Sequence, residues 1–242
     1  MRRFVSLMPR GLIGGAALAL TALSAAAQEP PNHLILNGIP SATAAPSGIG
    51  FVQISGTDNN HNDTVDGSIA LGFGLGDAAA GIGVQTTLHL TSLSDFGGSG
   101  YLSMKFSRAL TDRLYGALEV SHLAGWGEAE DIDPNVSAVL SYFGLISVGG
   151  GSYPVILSAG FGERLRWDET EAKSAGFIGI GVGFSETFAG SLAYTGDDWE
   201  IGLGARVNEA LTLTASVEDV FDQNDARKVV LSANFAFHLF GR

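Results

Sequence analysis

Apolar residues alternate with small or polar residues through almost the whole chain after Ile49, and this period of two limits the fold more than any other feature. Between residues 177 and 184, one set of alternate positions holds isoleucine, valine and phenylalanine, and three glycines lie between them. Segment 211–218 sets two leucines, alanine and valine against two threonines, serine and glutamate. Alternate side chains of a β-strand point to opposite faces. The sequence therefore predicts an all-β chain whose strands each have one apolar face.

Twelve strands follow from this alternation, and ten or fourteen are the alternatives if one pair is merged or split. Most of them are longer than the average strand of a soluble protein, which has about five or six residues. Their lengths suit an oblique crossing of a bilayer, which takes about 9–11 residues. We predict a closed, antiparallel, up-and-down transmembrane β-barrel with strands at 48–55, 67–76, 80–91, 99–108, 113–123, 136–148, 153–163, 174–184, 187–195, 198–207, 210–219 and 228–240.

The second face of each strand separates a membrane barrel from a soluble β-protein. Charged residues make up 16% of the chain, where an ordinary soluble domain has about a quarter. Glycine occurs 34 times, largely opposite the apolar positions. A soluble barrel explains the apolar face but not the scarcity of charge opposite it. In a membrane barrel the apolar face meets lipid, and the small or polar face lines the lumen.

The first 27 residues have the order of a cleaved signal peptide. Arg2 and Arg3 precede an apolar run, and Ser24 to Ala27 are small residues before a polar stretch. The apolar run is shorter than the roughly 20 residues of a membrane anchor. We therefore expect three parts: residues 1–27 as the signal peptide, 28–47 as an N-terminal extension that is either tucked into the barrel mouth or mobile, and 48–242 as the barrel.

Connections between the predicted strands give the orientation. Short turns follow even-numbered strands, and most of the longer loops follow odd-numbered strands, as in outer-membrane barrels with short periplasmic turns. The long loops are acidic, and cleavage would leave ten Lys and Arg against 25 Asp and Glu, a net charge of −15. Such a chain does not suit binding to nucleic acid through phosphates.

The signal peptide, the alternating strands and the aromatic last strand ending at Phe240 resemble bacterial outer-membrane proteins of the porin-like class. The resemblance covers nearly the whole mature chain and is architectural. It implies a bacterial outer-membrane location among lipid and lipopolysaccharide, and insertion by the barrel-assembly machinery, which reads a C-terminal aromatic residue. This chain departs from that pattern because Gly241 and Arg242 follow Phe240.

Few charged or large polar side chains fall on the predicted lumen face. They line either a narrow water-filled pore or a neutralising plug, because buried charge is costly unless it is paired or wet. A small porin-like channel for passive diffusion is the first hypothesis. A non-conducting structural or export-accessory barrel is the second, and a lipid-modifying enzyme is the third. The lumen candidates are Lys105, Glu119, Glu200, Arg206, Glu218, Gln85 and His89.

No catalytic or metal-binding pattern stands out in the sequence. His89-Leu90-Thr91 is the nearest approach to the His and Ser two residues apart of outer-membrane phospholipases, and it has Thr in place of Ser. The glycine repeats near residues 74 and 181 are strand glycines on one face and not phosphate-binding loops. We therefore expect no enzyme, no cofactor and no metal.

Overall fold

A computed structural model of the chain describes residues 34–59, 64–162, 174–222 and 227–240. The predicted signal peptide and its cleavage point lie outside the described residues. The structure contains β1 (Ile49–Asn59), β2 (Thr64–Gly76), β3 (Gly83–Leu90), β4 (Gly100–Ala109), β5 (Leu114–Trp126), β6 (Asn135–Val148), β7 (Gly151–Gly162), β8 (Ala175–Gly183), β9 (Phe188–Tyr194), β10 (Trp199–Arg206), β11 (Leu211–Glu218) and β12 (Lys228–His238).

The strands form one closed antiparallel barrel, which confirms the predicted fold class and the count of twelve. Each strand pairs with its neighbours in sequence, and β1 closes the barrel against β12 from Ile49↔His238 to Asn59↔Lys228. A short 3-10 helix, Gly127–Ala129, follows β5. Among the described residues, no helix is long and apolar enough to cross a bilayer.

The first hairpin extends further than the alternation predicts. β1 continues from residue 55 to Asn59, and β2 begins at Thr64 and not at residue 67. The added residues are largely polar, so they give no period-two signal. Their ladder continues because backbone hydrogen bonds do not need an apolar face.

The outer face of the barrel is apolar and exposed. Leu203, Leu231, Ile178 and Leu118 are 62%, 60%, 58% and 54% exposed, and large exposed apolar side chains occur on every strand except β3. Soluble monomers rarely expose continuous apolar patches of more than a few hundred Å². The exterior is therefore a surface for lipid, as the alternation predicts.

Residues 34–47 lie inside the barrel and pack against its wall. Ile39 and Ala42 belong to a buried apolar cluster with inward side chains from β5, β6 and β8, among them Tyr115, Phe143 and Phe177. The prediction of a uniformly small or polar inward face is thus wrong on this side of the barrel. The aromatic residues are inward because the apolar N-terminal segment covers them.

We define one end of the barrel by its short turns at 77–82, 110–113, 149–150, 184–187 and 207–210. Ile49 and His238 meet at this short-turn end, and the opposite end is the long-loop end.

Candidate functional site: the lumen

Ala42 is the point at which the barrel wall holds the N-terminal segment from two sides. Its N–H donates to Ser141 Oγ on β6 at 2.8 Å, and its carbonyl accepts a hydrogen bond from Ser107 Oγ on β4. Ser141 Oγ lies 2.6 Å from Ser158 Oγ on β7. All four residues are almost fully buried. The small polar residues of the lumen face therefore supply the backbone partners that an extended segment lacks.

Three further hydrogen bonds support the segment around the barrel. The Ala45 N–H donates to Gln85 Oε1 on β3 at 2.9 Å. The Asn37 N–H donates to Ser191 Oγ on β9 at 3.3 Å. The Gly48 N–H donates to the carbonyl of Gly74 on β2 at 3.1 Å. The segment thus reaches across the lumen and contacts strands on opposite sides.

Glycines of the lumen face make room for the segment. A Cβ at Gly181 would lie 2.1 Å from the Ile35 carbonyl oxygen, and one at Gly74 would lie 2.0 Å from the Ala45 carbonyl oxygen. Cβ positions at Gly179, Gly202 and Gly204 would lie 2.7–2.8 Å from side-chain atoms, including those of Ile39, Asn37 and Ile35 respectively. The segment therefore packs directly against the glycine backbone of the lumen face, where a side chain would not fit.

The segment bends at Gly38. Gly38 has a φ of +80°, a conformation that residues with a Cβ rarely adopt. A Cβ there would lie 2.3 Å from Glu200 Oε2. Glu200 is only 4% exposed. Glu200, which the sequence predicts to line the lumen, therefore lies on the inward face and packs against the bend at Gly38.

Two large cavities border the segment, and Leu34, Ile35 and Leu36 line both. One, of about 570 Å³, opens among residues 76–83 of the short-turn end and is also bordered by Tyr115 and Phe143. The other, of about 580 Å³, lies beneath the inward faces of β1, β10, β11 and β12. We call the second cavity the polar cavity. It is lined by Gln53, Ser55, Tyr101, Thr195, Glu200, Thr212, Thr214, Ser216, Glu218, Lys228, Val230, Ser232 and Asn234, together with residues 34–38.

The charged lumen candidates occur largely as cross-strand pairs. Lys105 Nζ lies 3.2 Å from Glu119 Oε2 between β4 and β5. Lys228 Nζ lies 3.3 Å from Glu218 Oε2 between β12 and β11. The structure therefore brings Lys105, Glu119 and Glu218 together with a charge of opposite sign on the neighbouring strand.

The remaining candidates have separate environments. Gln85 binds the N-terminal segment as described above. Arg206 lies at the short-turn end, where its Nε donates to the Asn208 carbonyl at 3.4 Å. Glu163 and Arg164, which the sequence suggests near a rim, lie outside the described residues.

His89 belongs to a stack of three rings on the wall. Its ring centroid is 4.5 Å from that of Tyr101, which in turn is 4.0 Å from that of His122. His89 Nε2 lies 3.0 Å from Ser103 Oγ, and Ser103 is buried. Irregular pairing of β4 with β5 places His122 in this stack. Its φ of 56° fits a β-bulge, which can redirect a side chain.

Sequence reasoning missed Lys228, Tyr101 and the serines that hold Ala42. The alternation itself could have identified Lys228, because it shares its parity with the inward residues Val230 and Ser232. It could not identify the role of Ser107, Ser141 and Ser158, since nothing periodic in residues 34–47 shows that they enter the lumen.

The comparisons with known proteins find similarity in structure only. No family model matches the chain, and no curated protein matches it in sequence. Outer membrane protein Omp33 of Acinetobacter baumannii superposes with a TM-score of 0.47 at 13% identity, over 78% of this chain and 97% of that chain. The KdgM porin superposes with a TM-score of 0.49 at 12% identity, over 78% and 99%. With TM-scores below 0.5, the architectural assignment rests on the chain's own strand order and faces.

Proposed function

We propose that the protein is a small channel of the bacterial outer membrane that lets small hydrophilic solutes diffuse passively. One observation carries the proposal: a closed barrel with an apolar exterior encloses a polar cavity of about 580 Å³. A polar interior behind a lipid-facing wall is the arrangement of a transmembrane pore. In a purely structural barrel, buried hydroxyl, amide and charged groups would bring a desolvation cost and no benefit.

We also propose how the barrel is oriented in the membrane and how the chain reaches it. Both Ile49 and His238 lie at the short-turn end, which we place in the periplasm, with the long-loop end facing outward. Export through the signal peptide, insertion by the barrel-assembly machinery and contact with lipopolysaccharide belong to the same proposal. Absence of catalysis stays a prediction.

The N-terminal segment supports a second candidate, a non-conducting barrel. Residues 34–47 cover the apolar cluster on β5–β9, and their first residues border both cavities. If the segment closes the path between the two cavities, the barrel is a structural or export-accessory protein and the polar cavity is a closed pocket. We favour the channel because the polar cavity lies beside the segment and is not filled by it.

Ion conductance in planar bilayers tests the proposal with the purified full mature chain. We expect discrete current steps that are small for a twelve-stranded barrel, because the segment narrows the lumen. A heat-modifiable, correctly inserted barrel that produces no current would reject the channel and favour the second candidate. Protein-free membranes with the same detergent serve as the control.

A further inference from the structure

The inward faces of β1, β12 and β11 form an array of hydroxyl and amide groups in the polar cavity. Strand register places Gln53, Asn234 and Thr212 in one row across the three strands. Ser55, Ser232 and Thr214 form the next row toward the long-loop end. Directly opposed residues are about 4.5–5.5 Å apart across strands, and rows two residues apart are separated by about 7 Å. The polar groups therefore form a regular two-dimensional surface.

Some groups of this array already form hydrogen bonds with one another, whereas others have donors and acceptors that a solute could bind. Gln53 Nε2 donates to Ser55 Oγ at 3.2 Å, and Ser55 Oγ lies 2.9 Å from Ser232 Oγ. By contrast, Thr212, Thr214 and Asn234 make no side-chain hydrogen bond within the part of the chain that the structure describes. These groups face the cavity, and each can both donate and accept. A bound solute with several hydroxyl groups could satisfy them in place of water.

The charged groups that the structure describes along the polar cavity are either paired or little exposed. Glu218 is paired with Lys228 at 3.3 Å near the long-loop end. Glu200 also borders the cavity, but it is 4% exposed and packs against Gly38. Among the lining residues that the structure describes, an anionic or cationic solute meets no well-exposed, unpaired counter-charge that would compensate for its lost hydration. An uncharged solute avoids that cost.

We infer that the array on β1, β11 and β12 is a binding site for small uncharged polyhydroxylated solutes, the class of sugars and sugar alcohols. This inference rests on the proposed channel, because the cavity would be the part of the path where such a solute pauses. A site built to bind hydroxyl groups discriminates strongly against molecules that lack them, since its own polar groups would otherwise stay unpaired. The alternative is a wall that only holds water and selects by size.

Equilibrium binding to the purified full chain in detergent micelles tests the site without requiring current. Sorbitol is the neutral probe, and gluconate and glucosamine are probes of similar size that carry a negative and a positive charge. We expect saturable binding of sorbitol, observed by ligand NMR or calorimetry, and affinities for both charged probes that are at least about tenfold weaker.

Removal of two hydroxyl groups locates the site. The double variant Thr212→Val and Thr214→Val keeps the shape of both side chains, and each lost hydrogen bond is expected to weaken sorbitol binding about fivefold to tenfold. Thr86→Val is the matched control, because Thr86 lies opposite Phe73 and Met104 on the outer face, and it should bind sorbitol as the parent does.

The failures of the two proposals can be told apart. No saturable binding of sorbitol, equal binding of gluconate or glucosamine, or full binding by the double threonine variant would overturn the site, whatever the conductance. Sorbitol binding by a barrel that never conducts would reject the channel and leave a solute-binding barrel.

Discussion

Ala42 is a single residue whose backbone groups are both satisfied by serines of the lumen face. Its N–H donates to the Ser141 hydroxyl on β6, its carbonyl accepts from the Ser107 hydroxyl on β4, and the residue is fully buried. An unpartnered buried N–H costs about 1–3 kcal/mol. Single serines of the wall should therefore influence stability although none of them is large.

The variant Ser141→Ala should lower the free energy of unfolding by about 1–3 kcal/mol, because the Ala42 N–H loses its acceptor. Urea unfolding in lipid vesicles measures this change. Ser147→Ala is the control, since Ser147 is exposed and its hydroxyl lies 3.3 Å from Ser152 Oγ. This variant should change stability by less than about 0.5 kcal/mol. Equal effects of the two variants would mean that Ser141 does not hold the segment.

Gly181→Val should displace the segment, because its Cβ position overlaps the Ile35 carbonyl oxygen at 2.1 Å. The chain has no cysteine, so a single Ala42→Cys substitution reports on displacement by maleimide labelling. We expect labelling in the Gly181→Val background to be at least about tenfold faster, which corresponds to about 1.4 kcal/mol. Gly56→Val is the control, because a Cβ there meets nothing within 4 Å. Slow labelling in both backgrounds would contradict the close fit at Gly181.

At the residue scale the sequence predicts which face a side chain occupies, but not what it contacts. The parity of Gly179 and Gly181 places them on the lumen face, as found. The strand sequence does not show why glycine is needed there, because the atoms that would clash with a side chain belong to residues 35–39, which are distant in sequence.

The elements of the barrel are joined by charge pairs as well as by the ladder. Lys105 and Glu119 are 11% and 23% exposed and lie 3.2 Å apart on β4 and β5. They are partly shielded from water, so their pairing matters more than that of a surface ion pair.

Lys105→Met should increase the preference of the proposed channel for cations, because the Glu119 carboxylate loses the ammonium group 3.2 Å away. Reversal potentials under a salt gradient measure this shift. The double variant Lys105→Met and Glu119→Gln removes both charges and should return toward the parental selectivity. If Lys105→Met alone leaves the reversal potential unchanged, this pair does not face the conducting path.

Strands are the elements that the sequence predicts best, and irregular elements are those it misses. The twelve strands follow from alternation, whereas the departure within β5 does not, since positive φ values at His122 and Ala124 interrupt the period. The N-terminal segment has no period at all. Its position depends on hydrogen bonds to the wall, and these exist only after the barrel has closed.

The whole molecule is a barrel in which one side is filled and the other is polar. Ile39 and Ala42 complete an apolar cluster beside β5, β6 and β8, and the polar cavity lies beneath β1 and β10–β12. The closed barrel and its apolar exterior could be predicted because the alternation that indicates them recurs along the chain. The division of the lumen could not, because it arises from contacts between distant parts of the chain.

Single-channel conductance with and without residues 34–47 tests the proposal that this segment narrows a conducting lumen. Deletion of residues 34–46 removes the segment but keeps all twelve strands, and heat-modifiability on gels verifies that the barrel has folded. We predict discrete currents for the full mature chain and a conductance at least about twofold higher for the deletion, in line with the size dependence of barrel interiors. Equal conductance of the two proteins, or no current from either, would contradict the account.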